Sequence, residues 1–189
     1  MKEKLWTIQH EKACYRLFRK GVLHADERFL MLNGEFRTAY SWMADEMRAR
    51  IGIPPADAAY PIWAWHSWEC RRDSRTMSAL ARRSRGNHML LIEFEIEASR
   101  VLMSDFDNWH LVLIGSYIAR SERDLGEFYA AGYADEHERI RASWERIFCL
   151  DDASAQPGWD TPPDKRSIQA TLWEIRPDDI LSIHRLDRA

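Results

Sequence analysis

Strand-like and helix-like patterns follow one another in short runs along this chain, and that mixture predicts an α+β fold. Near the start, Leu5, Thr7 and Gln9 fall on one side of an extended segment and Trp6 and Ile8 on the other, the period of a strand. Between Glu11 and Lys20 the spacing becomes helical. Ala13, Cys14, Leu17 and Phe18 share a face there, and Gly21 stands where a left-handed cap would end the helix. From Glu35 to Arg50 a second helix is predicted, with Phe36, Ala39, Tyr40, Met43 and Met47 as its apolar stripe and Gly52, Pro54 and Pro55 as its stop. Tyr60 to Trp68 reads as an aromatic strand, with Ile62, Ala64 and His66 opposite Trp63 and Trp65, and Pro61 at an edge or strand start.

Leu90, Ile92, Phe94 and Ile96 alternate with Glu93 and Glu95, which predicts a strand with one face in the core and the glutamates on a wetted face. After Ser104, read as an N-cap, a buried helix begins near Trp109, with Asp105 and Asp107 at its positive end. Further on, Asp135 to Leu150 carries Ile140, Trp144, Ile147 and Phe148 at helical spacing. The stretch 151–167, with Pro157-Gly158 and Pro162-Pro163, reads as a long loop or flap. Ser167 to Ile175 and Ile180 to His184 then read as the closing strands, joined by a turn at Arg176 to Asp179. The expected architecture is a central, mostly antiparallel sheet with flanking helices, in one domain over residues 1–189.

Composition narrows the class. A chain of 189 residues that is 46% hydrophobic is long enough to bury a substantial core. It has no apolar run of membrane-spanning length and no apolar leader after Met1, so the expected location is cytoplasmic. Three scattered cysteines without C-x-x-C spacing argue against a disulfide framework and predict reduced, mostly buried thiols. With a net charge of -3, any anionic partner has to be held by a local basic patch.

Several groups of residues carry candidate chemistry. Trp63, Trp65 and Trp68 can stack a ring or an unpaired base, although core packing is the plainer account of Trp63 and Trp65, which leaves Trp68 as the more open ring. Arg71, Arg72, Arg75, Arg82, Arg83 and Arg85 flank the apolar piece Met77 to Leu80 and suit phosphate contact, against the plainer account of a solvated loop between strands. Asp107 and His110 lie one helical turn apart as a candidate acid–base pair, with capping as the rival account of the acidic residues. A zinc site from His66, Cys70, His88 and His110 matches no standard ligand spacing, and no metal is expected. The chain has no Gly-rich phosphate loop, no Gly-x-Ser-x-Gly elbow and no His-Glu-x-x-His helix.

The blocks Leu5-Trp-Thr-Ile-Gln9, Gly21-Val-Leu23, Pro61-Ile-Trp-Ala-Trp65, Ser104-Asp-Phe-Asp-Asn-Trp-His110 and Gln169-Ala-Thr-Leu-Trp-Glu-Ile175 resemble an uncharacterised bacterial family, domain of unknown function 3841, over nearly the entire chain. A second, partial resemblance is to ADP-ribosyltransferases that modify nucleic acid and to related RNA phosphotransferases, whose opening runs strand, helix, Gly-x-Leu as Leu5 to Leu23 does. That resemblance implies a similar fold, NAD as substrate, and a toxin or defence role. Thr7 stands where that family has a ribose-holding histidine, with Gln9 following, and Gln169-Ala170-Thr171 matches its Gln-Ala-Glu with threonine in the place of the catalytic glutamate. The resemblance then leaves Thr7 and Gln9 on the ribose, Trp65 or Trp68 on a ring, and Glu174 as the nearest acid for catalysis. A competing expectation is a non-enzymatic module that binds RNA or a nucleotide through the aromatic cleft and the arginine segment. A third is a protein-interaction domain.

Overall fold

The computed structural model describes residues 1–30, 34–55, 58–83, 88–151 and 158–186. Its centre is a six-stranded sheet of β1 (Lys2–His10), β2 (Ile62–Ser67), β3 (Met89–Glu97), β4 (Leu102–Asp105), β5 (Ile168–Leu172) and β6 (Ile180–Leu186). The spatial order is β4-β5-β2-β1-β3-β6 and every neighbouring pair is antiparallel. Around it lie α1 (Glu11–Lys20), α2 (Gly34–Arg50), α3 (Ser74–Arg83), α4 (Phe106–Leu113), α5 (Glu122–Ala130) and α6 (Glu136–Ser143). The fold is α+β, as the pattern predicts.

Local sequence explains the boundaries. Helix α1 starts at His10, whose side chain accepts from the Lys12 amide, and stops at Gly21, which turns left-handed at φ 72° while its N–H bonds Leu17. The stop of α2 is similar: Gly52, at φ 105°, donates to the Met47 carbonyl, and prolines follow. Asp105, not Ser104, caps α4 by accepting from the Asn108 amide. The segment predicted as one helix from Asp135 splits into α6 and a 3-10 turn, Trp144–Phe148.

Both faces of the sheet are covered, and this overturns several one-sided expectations. On one face Leu5, Ile92, Phe94, Ile62 and Ala170 pack with Cys14 and Leu17 of α1. Phe18, expected on that side of α1, is 68% exposed. On the other face Trp6 and Leu91 pack beneath Met77 and Ala81 of α3, while Met43, Met47, Trp109 and Trp144 build a further cluster from α2, α4 and the 3-10 turn. Glu93 is therefore not wetted. It is buried and held by Lys4 and by Ser74 Oγ at 3.0 Å. Burial works to raise its pKa, but the hydrogen bonds from Lys4 and Ser74 outweigh it and hold the carboxyl below its usual range. Of the thiols only Cys14 is buried, and desolvation pushes its pKa to about 11; Cys70 and Cys149 are exposed.

The sheet has a seam. Strand β1 pairs with β3 from Lys2↔Glu97 to His10↔Met89, yet meets β2 only at Trp6↔Trp65. Beside that point Thr7 Oγ1 donates to the Trp63 carbonyl at 2.6 Å, a side chain bridging two strands where the regular ladder has given out.

Candidate functional site

Trp65 and Trp68 lie at the end of β2 where the chain turns toward α3, and they meet Phe106, the first residue of α4. The ring centroids are 5.2 Å apart for Trp65–Trp68, 4.7 Å for Trp65–Phe106 and 5.6 Å for Trp68–Phe106, all tilted or edge-on, and His110 extends the group with its ring 4.5 Å from Phe106. Trp63, Trp65 and Trp68 are alike in being half-buried. The expected division into two core tryptophans and one open one is therefore corrected. Ile62 and Ala64 take the deep positions on β2, and Trp63 belongs instead to a ring contact with Trp109 at 4.5 Å.

Turn geometry fixes how this group is presented. Glu69 and Cys70 both have positive φ, 46° and 61°, and Trp68 and Arg71 bridge each other across them. The turn is tied to the approach to β5: the Glu69 amide bonds Ser167 Oγ at 3.0 Å and the Cys70 amide bonds the Arg166 carbonyl at 3.0 Å. Gln169 of β5 sits opposite Trp65 on one side and Ser104 of β4 on the other, so all three share a face. Gln169 Nε2 and Ser104 Oγ are buried without a hydrogen-bond partner among the described residues. Asp105 and Arg166 close the end of this row as a buried pair 3.6 Å apart. Desolvation raises the Asp105 pKa, and its capping bond opposes the rise.

The arginine segment is a helix, not a loop between strands. Met77 and Ala81 are buried with Trp6 and Leu91 of the sheet, Leu80, Trp65 and Trp68 pack against that cluster, and Arg75, Arg82 and Arg83 are exposed. Arg72 is committed to Glu3 Oε2 at 3.1 Å and to the Lys4 carbonyl. Arg71, Arg75, Arg82 and Arg83 make no side-chain hydrogen bond or ion pair among the described residues, whereas Arg28, Arg48, Arg50, Arg100, Arg146 and Arg176 each hold a carboxylate. Arg85 lies outside the described residues.

The residues expected to surround NAD do not converge. Thr7 is fully buried on the α1 side of the sheet, holds the Trp63 carbonyl, and accepts from Gln9 Nε2 at 2.8 Å, while Trp65 stands on the opposite face. Thr171 is buried as well, under Met43 of α2, with its hydroxyl on the Leu102 carbonyl. Glu174 follows the far end of β5 from Trp68, in a network with Arg176 at 2.7 Å, and with Arg100 and His24 each at 3.5 Å. Asp107 accepts from Thr161 Oγ1 at 2.7 Å and His110 donates to the Phe106 carbonyl at 2.9 Å, so each has a partner other than its expected mate. Among the described residues no group of His, Cys, Asp and Glu is placed to hold a metal. Phe106 and Gln169 are the members of the aromatic site that spacing alone did not single out. Both lie in sequence blocks named above, but the strand register is what puts Gln169 beside Ser104 and Trp65.

An α+β sheet whose tryptophan strand meets the capped start of α4 is the arrangement into which the block Ser104 to His110 folds. Residues 4–131 match the family described as domain of unknown function (DUF3841), and the chain belongs to that family. The match takes in α3 and the tryptophan strand but not β5 or β6. No curated protein matches the chain. No helix among the described residues is long and apolar enough to cross a membrane.

Proposed function

We propose that this chain is a module that binds single-stranded RNA, with bases stacking at Trp65, Trp68 and Phe106 and phosphates held by Arg71, Arg75, Arg82 and Arg83. The observation that carries the reading is the set of unpaired guanidinium groups on and beside α3 in a chain of net charge -3 that pairs so many of its other arginines. Guanidinium groups that make no hydrogen bond or ion pair remain available to fork onto phosphate oxygens. Arg75 and Arg82 are seven positions apart on α3, about 10 Å along the axis, a span that suits a backbone tracked beside the helix. Trp65, Trp68 and Leu80 all pack against one apolar cluster that includes Met77 and Ala81 of this helix, so basic and aromatic elements are neighbours. Gln169 and Ser104 add buried polar groups on the same face as Trp65. The module acts, on this reading, in a bacterial cytoplasm.

A labelled single-stranded RNA followed by fluorescence anisotropy tests it. Each phosphate contact should add about 0.7 to the slope of log affinity against log salt. Arg82→Ala with Arg83→Ala should flatten that slope, and Trp68→Ala should cost about 1–3 kcal/mol of affinity. Salt-independent binding, or variants that bind like the parent, would sink the reading. A diverged ADP-ribosyltransferase acting on NAD is the second reading, favoured by Gln169-Ala170 within β5. It calls for release of nicotinamide from labelled NAD above the level of a Glu174→Ala variant.

A further inference from the structure

A separate cavity of about 660 Å³ opens between α5, α6, the 3-10 turn that follows α6 and the end of α2. Its size falls in the range of small-molecule sites. Part of its wall is aromatic: Tyr117 and Phe128 stack at 4.1 Å with a 14° angle between planes, and Phe148 lies beneath Arg50, whose guanidinium is 4.3 Å from the ring centroid.

The charges around it are unevenly paired. Asp124 holds Arg146 at 2.7 Å and also accepts from Tyr117 Oη at 2.9 Å and from the Arg120 amide at 2.7 Å. Glu145 holds Arg50, and Glu127 holds Arg123 at 2.7 Å. Every carboxylate of the wall is therefore matched with an arginine. Two guanidinium groups of the wall are not. Among the described residues Arg139 donates to the backbone carbonyls of Phe128, Gly132 and Ala134, lies 4.9 Å from the Phe128 ring centroid, and holds no carboxylate; its Nε is buried without a hydrogen-bond partner there. The Arg120 guanidinium makes no hydrogen bond or ion pair among the described residues. A cavity with apolar rings on its sides and two cations lacking a counter-charge favours an anion over a neutral or cationic guest.

We infer that this cavity is a binding site for a small organic anion, a phosphate or carboxylate carried on an apolar ring, with the anionic group at Arg120 and Arg139 and the ring against Phe128 and Phe148. The site is distinct from the aromatic and arginine surface of α3, and its test does not depend on RNA binding.

Phenyl phosphate, benzoate and the neutral analogue benzyl alcohol, titrated by calorimetry against the full chain, decide it. Saturable binding is expected for one or both anions and absent for the alcohol, and the preferred anion distinguishes phosphate from carboxylate recognition. Arg120→Gln removes a side chain that holds nothing in the fold and should weaken anion binding about tenfold, in line with loss of a charge-assisted contact. Retained helical circular dichroism in that variant shows that the loss is local. Equal binding of the alcohol, unaltered affinity in Arg120→Gln, or no saturation by either anion would overturn the assignment.

Discussion

Glu93 shows how little a single side chain's chemistry says before its neighbours are known. Alternation along β3 places it opposite Phe94, and a glutamate in that position is expected to face water. The start of α3 lies over it instead, and Ser74 and Lys4 supply the hydrogen bonds that keep it ionised. A carboxyl held below its usual pKa of 4.5 contributes stability that is present above that value and is lost as pH falls through the folded one. Glu93→Gln should therefore lower stability at pH 7 by about 1–3 kcal/mol, since Lys4 and Ser74 lose a charged acceptor. The gap between parent and variant in urea melts should close as the pH is taken below 4.5 and through the lowered pKa of the folded state. A gap that persists unchanged in acid would show that Glu93 acts by packing alone.

At the scale of elements, helix ends were the most legible feature. Capping chemistry is local, so Gly21 announced the end of α1 in the sequence and stands there at φ 72° with nothing crowding its Cα. Gly21→Ala should then cost about 1–2 kcal/mol through backbone strain alone, because no neighbour obstructs the added methyl; a thermal shift too small for that would mean that α1 ends elsewhere in solution. The arginine segment was less legible for a related reason. Six arginines in a short stretch mask a helical pattern that rests on Met77, Leu80 and Ala81 alone, and burial of those three against Trp6 and Leu91 is what orders α3. The depth of Trp63 and Trp65 is not legible in the sequence, because alternation says which residues share a face but not which face is deeper. Ile62 and the small residue Ala64 are buried with the α1 cluster on one side, while on the other Trp65 meets Trp68 edge-on and Phe106 tilted, and Trp63 meets Trp109 of α4.

For the whole molecule, the seam between β1 and β2 matters most. One paired position joins the two halves of the sheet, and the Thr7 hydroxyl, fully buried, spans the seam to the Trp63 carbonyl. Thr7→Val keeps the shape but leaves that carbonyl and the Gln9 amide without this partner, at an expected cost of about 1–3 kcal/mol. Hydrogen exchange should report the loss as faster opening of β2 and β5 than of β1 and β3; uniform acceleration over all strands would show that the seam is not a weak joint. The α+β class, the strands, most helix ends and membership of the family follow from the chain's own periodicities, caps and aromatic blocks, because each depends on residues a few positions apart. Which carboxylates are paired, which arginines stay free, and that Thr7 and Trp65 lie on opposite faces with Glu174 at the far end of β5, were decided only by tertiary structure. Those properties depend on contacts such as Ser104–Gln169–Trp65 and Glu93–Lys4, whose members are far apart in sequence and meet only when the strand order is set.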